Sequence, residues 1–359
     1  MLDSKNKKNL MEFKYLRAIG IILVVLGHSF PFIDSMEILN SHVYKYIHSL
    51  IYSFHMPLFI MISGFFGTKI LKINSFKEYK DFVYEKFKKL IIPYLTISIF
   101  TIPIKLILNK FSQRAIVLSD IVKDILLYPW NNPIIFFWFI YVLFLIFVFS
   151  PFVVKLNKYF VIIAFFIFSI LPIKNIELMG ISTILKYSIF FFAGVYLKEF
   201  YINNRVKILN FKFGILNSLI FIILPLIVFL LNINLNFVGM NESFSSIIIN
   251  SFFILKAFLG IYICFILSKI IFNFNQNEKL LNIISDYSFD IYLLSWFPQV
   301  FLKILDVQIL KSNYMENSFA YAKLSLISFL SGLIIPILIS MILLRKFRIT
   351  RKLLLGIVE

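Results

Sequence analysis

Histidine is the side chain best suited to moving protons near neutral pH, and this 359-residue chain has four, all between positions 28 and 55. They are His28, His42, His48 and His55. His28 and His55 lie inside apolar runs, where an ionisable side chain usually faces a protein interior or a water-filled cavity. His42 and His48 lie in or near a short connection, where we expect each to be a solvated surface histidine. His28 and His55 are therefore the first candidates for acid–base chemistry.

Arg17 precedes His28 by eleven residues in the first apolar run. Eleven residues make almost three turns of α-helix, so both side chains project from one face, about 16 Å apart along the axis. Taken singly, Arg17 is an ordinary positive anchor and His28 an ordinary hydrogen-bonded core histidine. Because their positions around the helix agree, we favour a face with a fixed cation near one membrane surface and a titratable base deeper inside.

The stretch "FHMPLFIMISGFFG" is apolar but carries residues that are costly in lipid. His55 follows His48 by seven residues, so the two imidazoles share one stripe of a helix. Pro57 removes a backbone donor and favours a kink, which beside a histidine we interpret as the wall of a cavity. Ser63 and Gly64 allow another backbone to approach closely, and packing explains them as well as a site does.

The elements that must position these residues are membrane helices. The chain is 60% hydrophobic and only 15% charged, with a mean hydropathy of +0.90, whereas soluble domains are near half apolar and about a quarter charged. Apolar runs of about 18 or more residues recur, each long enough to cross a membrane as a helix. The sequence therefore predicts an all-α, polytopic membrane protein in which residues 1–359 form one membrane domain.

The sequence predicts about ten transmembrane helices. They cover residues 16–33, 47–66, 90–108, 133–153, 159–174, 183–198, 213–235, 247–269, 284–304 and 319–344. An even number puts both termini on one side, and this assignment collects most of the 36 Lys and Arg residues on that side. Because cytoplasmic loops are rich in Lys and Arg, we expect both termini to be cytoplasmic. The same loops explain the net charge of +18, so we expect no nucleic-acid partner.

The longest predicted inner connection, residues 68–89, repeats aromatic side chains at near-helical spacing among lysines. This pattern predicts an amphipathic helix at the cytoplasmic interface, and taken alone it is better explained as an anchor to anionic lipids than as a binding site. Lys186 and Lys256 lie deep in predicted spans, where they either pair with one another or extend to an interface.

Three further features of the spans bear on function. Asp286 and Asp290 lie four residues apart, on one face of the ninth span. Trp130 and Trp138 flank the outer start of the fourth span, where an aromatic belt belongs. The single cysteine, Cys264, lies in an apolar run and is best explained as a small core residue. No Cys/His cluster with metal-ligand spacing occurs in the sequence, so we expect no metal.

Five segments together carry a family resemblance. They are "YLRAIGIILVVLGHSF", "FHMPLFIMISGFF", "KFKKLIIPY", "FFWFIYVLFLIFVFSP" and "SDYSFDIYLLSWFP". In order and spacing they resemble the integral-membrane acyltransferase family 3, particularly its fucose 4-O-acetylase-like branch, and the likeness covers essentially the whole chain. The spacing of Arg17 and His28 and the histidine-bearing Ser-Gly helix are its most specific parts.

The resemblance implies an acyl-transfer site inside a bundle of about ten helices. It also implies an acyl-CoA donor, with acetyl as the expected group, that enters from the cytoplasm. The acceptor is a hydroxyl, typically on a cell-envelope polysaccharide or its lipid-linked precursor. The implied location is a bacterial inner membrane, with membrane lipids as further partners.

The family's functional residues carry over at specific positions. Arg17 and His28 match its essential pair. Lys86 and Lys89 stand where many members have an Arg-x-x-Arg motif, which keeps the charge but loses the planar fork of arginine. Ser295 stands where many relatives have another histidine, so we expect no catalytic role for it.

Chemistry assigns roles to these candidates. A sugar hydroxyl is a poor nucleophile until its proton is withdrawn, which suits a neutral imidazole in a low-dielectric pocket, and we assign this base role to His28. His55 would orient the acceptor, stabilise the oxyanion or share the proton. The residues expected to attract the anionic end of CoA are Arg17, Lys86, Lys88 and Lys89. The residues expected to contact the acceptor are Ser63, Trp138 and Asp290.

Two other classes of function remain open on the sequence. A transporter or flippase for a lipid-linked saccharide would also need polar residues facing a cavity. Transporters often contain inverted repeats with paired broken helices, and the sequence has no second segment that corresponds to the one around His55 and Pro57. A catalytically idle assembly subunit is the third hypothesis, and it predicts that the histidines are dispensable.

Overall fold

All regular structure in the described part of the chain is helical. The computed structural model describes residues 4–30, 42–108, 116–173, 176–208, 217–221, 223, 242–274, 279–306 and 318–357. Its α-helices are α1 Ser4–Ser29, α2 His42–Phe66, α3 Phe76–Lys86, α4 Ile92–Ile107, α5 Ile121–Leu127, α6 Trp138–Val153, α7 Lys158–Ile170, α8 Ile181–Ile208, α9 Glu242–Phe274, α10 Lys279–Asp286, α11 Ser288–Leu294, α12 Trp296–Leu305, α13 Ser318–Ile339 and α14 Arg348–Leu355.

Among the described residues, six helical stretches are long and apolar enough to cross a membrane. They are Val43–Lys72, Phe76–Ile107, Ile135–Val153, Leu178–Lys198, Glu242–Phe274 and Ser318–Leu344. These stretches confirm the prediction of an all-helical membrane protein.

The six stretches correspond to six of the ten predicted spans. The first predicted span lies in α1, which is not among the six stretches because Glu12, Lys14 and Arg17 make it too highly charged. The fifth corresponds to α7, which has 13 residues, and the seventh, 213–235, lies largely outside the described residues. The count of ten therefore stays a prediction.

The ninth predicted span, 284–304, is interrupted rather than continuous. Three short helices, α10, α11 and α12, cover it in succession. Tyr287 precedes α11 with φ −101° and ψ 8°, outside the helical range. Ser295 separates α11 from α12. The apolar composition of this segment predicted its helical character but gave no indication of these breaks.

Helices α2 and α8 pack backbone to backbone. A Cβ atom on Gly64 would lie 2.0 Å from the carbonyl oxygen of Phe191, and one on Gly194 would lie 2.1 Å from that of Met61. Each glycine thus admits the main chain of the other helix, as small residues do at membrane helix interfaces. Close packing therefore accounts for Gly64.

Several segments predicted to be cytoplasmic meet at one end of the bundle, which we call the basic end. Lys14 forms an ion pair with Asp286, with 3.3 Å between Nζ and Oδ1. Arg345 donates from Nη2 to the backbone carbonyl of Asp286 at 2.9 Å. Gly356, with φ 61°, packs so closely on Lys89 that a Cβ atom would lie 2.4 Å from its carbonyl oxygen. The side of the membrane that this end faces stays a prediction.

The predicted amphipathic helix of the 68–89 connection is largely confirmed as α3, which docks on the bundle. Ser75 caps it, since its hydroxyl accepts from the backbone N–H of Glu78 at 3.2 Å while the Glu78 carboxylate accepts from the Ser75 N–H at 3.1 Å. Phe82 is buried, and the Tyr79 hydroxyl donates to the carbonyl of Val148 in α6 at 3.2 Å. A π-helical turn, Phe87–Ile91, then leads directly into α4.

Candidate active site

Three of the four histidines surround one tyrosine at the end of the bundle opposite the basic end, which we call the histidine end. The Nδ1 atom of His28 lies 3.0 Å from the hydroxyl oxygen of Tyr52. The ring of His48 stacks on that of Tyr52 with 4.0 Å between centroids, and the His55 ring meets it edge-on at 4.9 Å. The structure therefore brings the two predicted catalytic histidines against the same phenol.

Helix α2 supplies three members of this cluster on one face. His48, Tyr52 and His55 are spaced by four and three residues, which places them above one another on a helix. The expectation that His48 is a solvated surface histidine is wrong, because α2 begins at His42, earlier than predicted, and His48 lies half-buried within it. The side chain of His42 is outside the described part of the chain.

His55 has a defined hydrogen-bonding pattern. It is 2% exposed, and its Nδ1 lies 2.7 Å from the carbonyl oxygen of Ile51. A carbonyl only accepts, so Nδ1 carries the hydrogen, and in the neutral ring Nε2 is then an acceptor. His28 is different, because the Tyr52 hydroxyl can either donate to its Nδ1 or accept from it. Its tautomer can change without the loss of this hydrogen bond.

Helix α12 holds the last turn of α1, where His28 lies. Lys303 donates from Nζ to the backbone carbonyls of His28 at 2.8 Å and Phe30 at 3.2 Å. Gln299 donates from Nε2 to the carbonyl of Val25 at 3.0 Å. These bonds satisfy carbonyls near the end of a helix, where a cation is also favoured by the helix dipole. Lys303 and Gln299 were missed in the sequence, although their spacing of four residues places them on one face.

Aromatic residues from a second part of the chain also pack against His28. The Phe136 ring lies 4.9 Å from the His28 ring, and the Tyr292 hydroxyl donates to the backbone carbonyl of Phe136. Phe136 belongs to the 3₁₀ turn Ile135–Phe137, which ends where α6 begins with Trp138. This turn joins the histidine cluster to the aromatic residues around Trp138.

Two of the predicted donor-binding cations lie near the C-terminal end of α2, at the basic end. The guanidinium carbon of Arg17 is 5.8 Å from the ring centroid of Phe66. The ammonium of Lys86 is 4.2 Å from the ring centroid of Phe147, and a Cβ on Gly67 would lie 3.0 Å from that same ring. Phe66 and Gly67 are adjacent in the chain, so Arg17 and Lys86 border one short segment.

The other two predicted donor-binding cations are arranged differently. The Lys88 ammonium lies 4.0 Å from the ring centroid of the exposed Tyr84. Lys89 has an exposed side chain, while its backbone contacts Gly356. Lys89 is therefore more exposed than Lys86 and Lys88, which are both half-buried.

Further cations at the basic end were counted in the sequence only as loop charges. Lys198 of α8 donates from Nζ to the Thr68 hydroxyl at 2.8 Å, and it is close enough to Lys72 for their charges to repel. Lys69 forms an ion pair with Glu85 at 2.8 Å. Because α8 is remote from residues 68–72 in sequence, no local pattern could have indicated that Lys198 joins this cluster.

The three predicted acceptor-binding residues are not brought together. The Ser63 hydroxyl donates to the carbonyl of Phe59 in its own helix at 2.8 Å. Asp290 is buried, and its carboxylate accepts from the Ser340 hydroxyl and from Nε of Arg345 at 2.8 Å, which ties it to the basic end. Trp138 alone lies near the histidine end. Their role in binding the acceptor stays a prediction.

An all-helical membrane protein with clustered histidines at one end and clustered cations at the other has the features of an integral-membrane enzyme. The model of acyltransferase family 3, described as an acyltransferase domain, matches residues 12–345. The chain belongs to this family, and its membership indicates a membrane acyltransferase. No curated protein and no solved structure gives a significant match.

Proposed function

We propose that this protein is a membrane-bound O-acyltransferase of the fucose 4-O-acetylase-like branch. It transfers an acyl group, acetyl in our proposal, from cytoplasmic acyl-CoA to a hydroxyl of a cell-envelope polysaccharide or its lipid-linked precursor, in a bacterial inner membrane. The observation that carries the proposal is the placement of Arg17 and His28 on one helix, Arg17 among the cations of the basic end and His28 in the cluster around Tyr52.

The basic end suits the anionic part of acyl-CoA. The nucleotide of CoA carries several phosphate charges, and grouped cations attract such a ligand. Arg17 offers a planar fork for a phosphate, while Lys86 acts as a point charge. The rise along α1 from Arg17 to His28 is about 16 Å. This separation suits a donor whose nucleotide stays at the cytoplasmic surface while its pantetheine arm carries the thioester into the bundle.

The histidine end suits the transfer step. The acceptor oxygen attacks the thioester carbonyl carbon as Nε2 of His28 takes the hydroxyl proton, so that an O–C bond forms and the C–S bond then breaks. The CoA thiolate leaves and recovers the proton from the imidazolium. In the imidazolium Nδ1 carries a hydrogen, which it donates to the Tyr52 hydroxyl oxygen.

The hydrogen bond of His55 helps to choose among its three possible roles, which are orienting the acceptor, stabilising the oxyanion and sharing the proton. With Nδ1 donating to Ile51, the neutral ring presents an acceptor at Nε2. A hydrogen-bond acceptor such as this Nε2 can orient a substrate hydroxyl or share its proton. Stabilising an oxyanion instead requires a hydrogen-bond donor. We therefore assign His55 to orienting the acceptor hydroxyl.

The test is transfer of label from acyl-CoA to envelope glycan in membranes that contain the protein. We expect wild-type protein to transfer acetyl label and His28→Ala to abolish transfer while the amount and solubility of the protein are unchanged. Transfer that survives in His28→Ala would remove the base assignment. Absence of transfer from acetyl-CoA and succinyl-CoA, together with movement of lipid-linked saccharide across the membrane, would favour a flippase instead.

A further inference from the structure

A cleft of about 850 Å³ lies near the histidine end, outside the cluster around Tyr52. It is bordered by the turn at residues 129–131, the loop after α7 and the first turns of α8 and α9. Residues from all four segments line it, among them Trp130, Asn131, Glu177, Lys186, Tyr187 and Asn250.

One wall of the cleft is a fixed aromatic surface. Trp130 stacks on Trp138 with 4.5 Å between ring centroids and 17° between planes, and Trp138 lies 5.4 Å from Tyr187. The indole N–H of Trp130 donates to the Thr183 hydroxyl at 3.0 Å. Trp130 nevertheless remains 36% exposed. A flat aromatic surface of this kind packs against the C–H face of a sugar ring.

The lining also contains polar groups fixed by hydrogen bonds, beside apolar residues such as Phe168 and Leu171. The Lys186 ammonium donates to Oδ1 of Asn250 at 3.1 Å and lies 4.7 Å from the Phe253 ring centroid. Asn250 in turn donates from Nδ2 to the carbonyl of Ile170 at 3.3 Å. Asn131 donates from Nδ2 to Asp124 at 2.9 Å. Such prearranged groups orient a ligand with little loss of side-chain freedom on binding.

The charge of the cleft distinguishes it from the basic end. Among the residues that the structure describes, its lining contains one cation, Lys186, and one carboxylate, Glu177, with amides and hydroxyls as the other polar groups. This combination does not suit the several phosphates of CoA, which need grouped cations. It suits a ligand with many hydroxyls and little net charge.

The backbone beside the cleft adopts a conformation that must be stabilised by its surroundings. Met179 has φ 54° and is the only residue other than glycine with positive φ in the described part of the chain. The next residue, Gly180, has φ 64°, and a Cβ there would lie 3.2 Å from Val142 and 3.3 Å from Pro129. Strained residues of this kind occur preferentially at functional sites, and this turn lies between Glu177 and Ser182, which both line the cleft.

The position of the cleft fits an acceptor that approaches from the side opposite the donor. Lys186 in the cleft and Lys198 at the basic end are twelve residues apart on α8, about 18 Å along its axis. The turn Ile135–Phe137 lies between the cleft and the histidine cluster, since Phe136 packs against His28 and Trp138, the residue after the turn, packs against Trp130. We propose that this cleft binds a saccharide, namely the hydroxyl acceptor of the transfer reaction. That the bound saccharide is the acyl acceptor rests on the proposed function. That the cleft binds a saccharide does not depend on it.

The first experiment measures saccharide binding in the absence of acyl-CoA. Purified protein in detergent is titrated with oligosaccharides released from the host's envelope polysaccharide, and separately with polyprenyl-linked saccharide extracted from the same membranes. We expect Trp130→Ala and Lys186→Met to weaken binding about tenfold or more. The control is Tyr159→Ala, which removes an exposed aromatic side chain at the end of α7 that is farther from the cleft. This variant should bind saccharide as tightly as wild type. The probe that binds more tightly distinguishes a free from a lipid-linked saccharide.

A second experiment leaves the aromatic wall intact, because Trp130 also packs on Trp138 and a truncation there changes the fold locally. Ser246 lines the cleft from α9, so Ser246→Cys in a Cys264→Ala background places one thiol there. We expect bound saccharide to slow the reaction of this thiol with a maleimide. A thiol at Tyr159→Cys should react at the same rate with and without saccharide.

These experiments test the saccharide site in the cleft independently of the proposed reaction. Unchanged affinity in Trp130→Ala and Lys186→Met, together with no protection of Ser246→Cys, would overturn the cleft assignment even if acyl transfer is measured. Binding and protection without acyl transfer from any donor would support the saccharide site and overturn the proposed reaction. With both proposals correct, Trp130→Ala raises the acceptor KM and leaves the donor KM unchanged, while His28→Ala still binds saccharide.

Discussion

At the scale of single residues, Tyr52 has the greatest mechanistic consequence. Its hydroxyl is the hydrogen-bond partner of His28, and its ring packs against both His48 and His55. When Nε2 of His28 is the base, Nδ1 carries the hydrogen, so the Tyr52 oxygen accepts from His28 in both the neutral ring and the imidazolium. We therefore consider Tyr52 a positioning residue for the base.

Tyr52→Phe should lower kcat about tenfold to hundredfold, because it removes one hydrogen bond to the base, worth roughly 1–3 kcal/mol, and keeps the ring packing. Acceptor and donor KM should change little. The measurement is steady-state label transfer by purified protein, with Tyr159→Phe as the control for loss of an exposed tyrosine hydroxyl. An unchanged kcat in Tyr52→Phe would show that His28 does not depend on this bond.

Arg17 and Lys86 support a prediction about donor binding. Arg17→Ala and Lys86→Ala should each raise the donor KM about tenfold to hundredfold, since a hydrogen bond to a charged group contributes roughly 1.5–3 kcal/mol. Arg17→Lys should restore only part of the affinity, because lysine lacks the planar fork. The acceptor KM should stay unchanged in all three variants.

Lys123→Ala, at an exposed lysine of α5, is the control for loss of one positive charge. The donor KM is measured for each variant at two salt concentrations, because surface electrostatics weaken with ionic strength. Equal shifts in Arg17→Ala, Lys86→Ala and Lys123→Ala would mean that the basic end attracts the donor only through its overall charge.

The sequence predicted some of these residues and missed others for a physical reason. His28 and His55 were predicted because an ionisable residue inside an apolar run is itself an unusual local feature. The contact between His28 and Tyr52 joins two helices, and the bonds of Lys303 to the end of α1 span most of the chain. Such contacts depend on how helices pack, which one sequence does not specify.

At the scale of elements, helix positions followed from hydropathy, whereas helix ends and breaks did not. Long apolar runs predicted α2, α6, α9 and α13, since length and composition are local properties. The early start of α2 was missed, and it places His48 more than one turn inside the helix, where it joins the cluster. The breaks in the 284–304 segment were also missed, because its apolar composition is compatible with a continuous helix.

Gly64→Ala tests the contact between α2 and α8. The added Cβ would lie 2.0 Å from the backbone oxygen of Phe191, so the two helices must separate, and overpacking of this kind costs about 1–3 kcal/mol. We expect a lower thermal unfolding temperature in detergent and a loss of activity that parallels the loss of folded protein.

Gly20→Ala is the matched control for this substitution. A Cβ at Gly20 would lie 3.0 Å from the end of the Phe59 ring, and a side chain can shift where a backbone cannot. We expect its unfolding temperature to stay closer to that of wild type. Equal destabilisation by both substitutions would show that the backbone contact between α2 and α8 is not specially close.

Across the full bundle, the two ends have different proposed roles: the basic end binds the donor, and the histidine end binds the acceptor and carries out the transfer. The cations of the basic end, with Arg17 and Lys198 among them, lie on the predicted cytoplasmic side, where acyl-CoA is found. The histidine cluster and the cleft around Lys186 lie towards the other side. This division requires that the basic end and the cleft face opposite sides of the membrane.

Two single-cysteine variants in a Cys264→Ala background test that requirement. Lys346→Cys places an exposed thiol at the basic end, and Ser246→Cys places one in the cleft. In intact cells, a maleimide that does not cross membranes should label Ser246→Cys and spare Lys346→Cys until the membrane is permeabilised. Because donor and acceptor then approach from opposite sides, sealed vesicles should use acyl-CoA only when the face that carries Lys346 is outward. Labelling of both thiols from the outside, or use of acyl-CoA from the face of the cleft, would contradict transfer from one side of the membrane to the other.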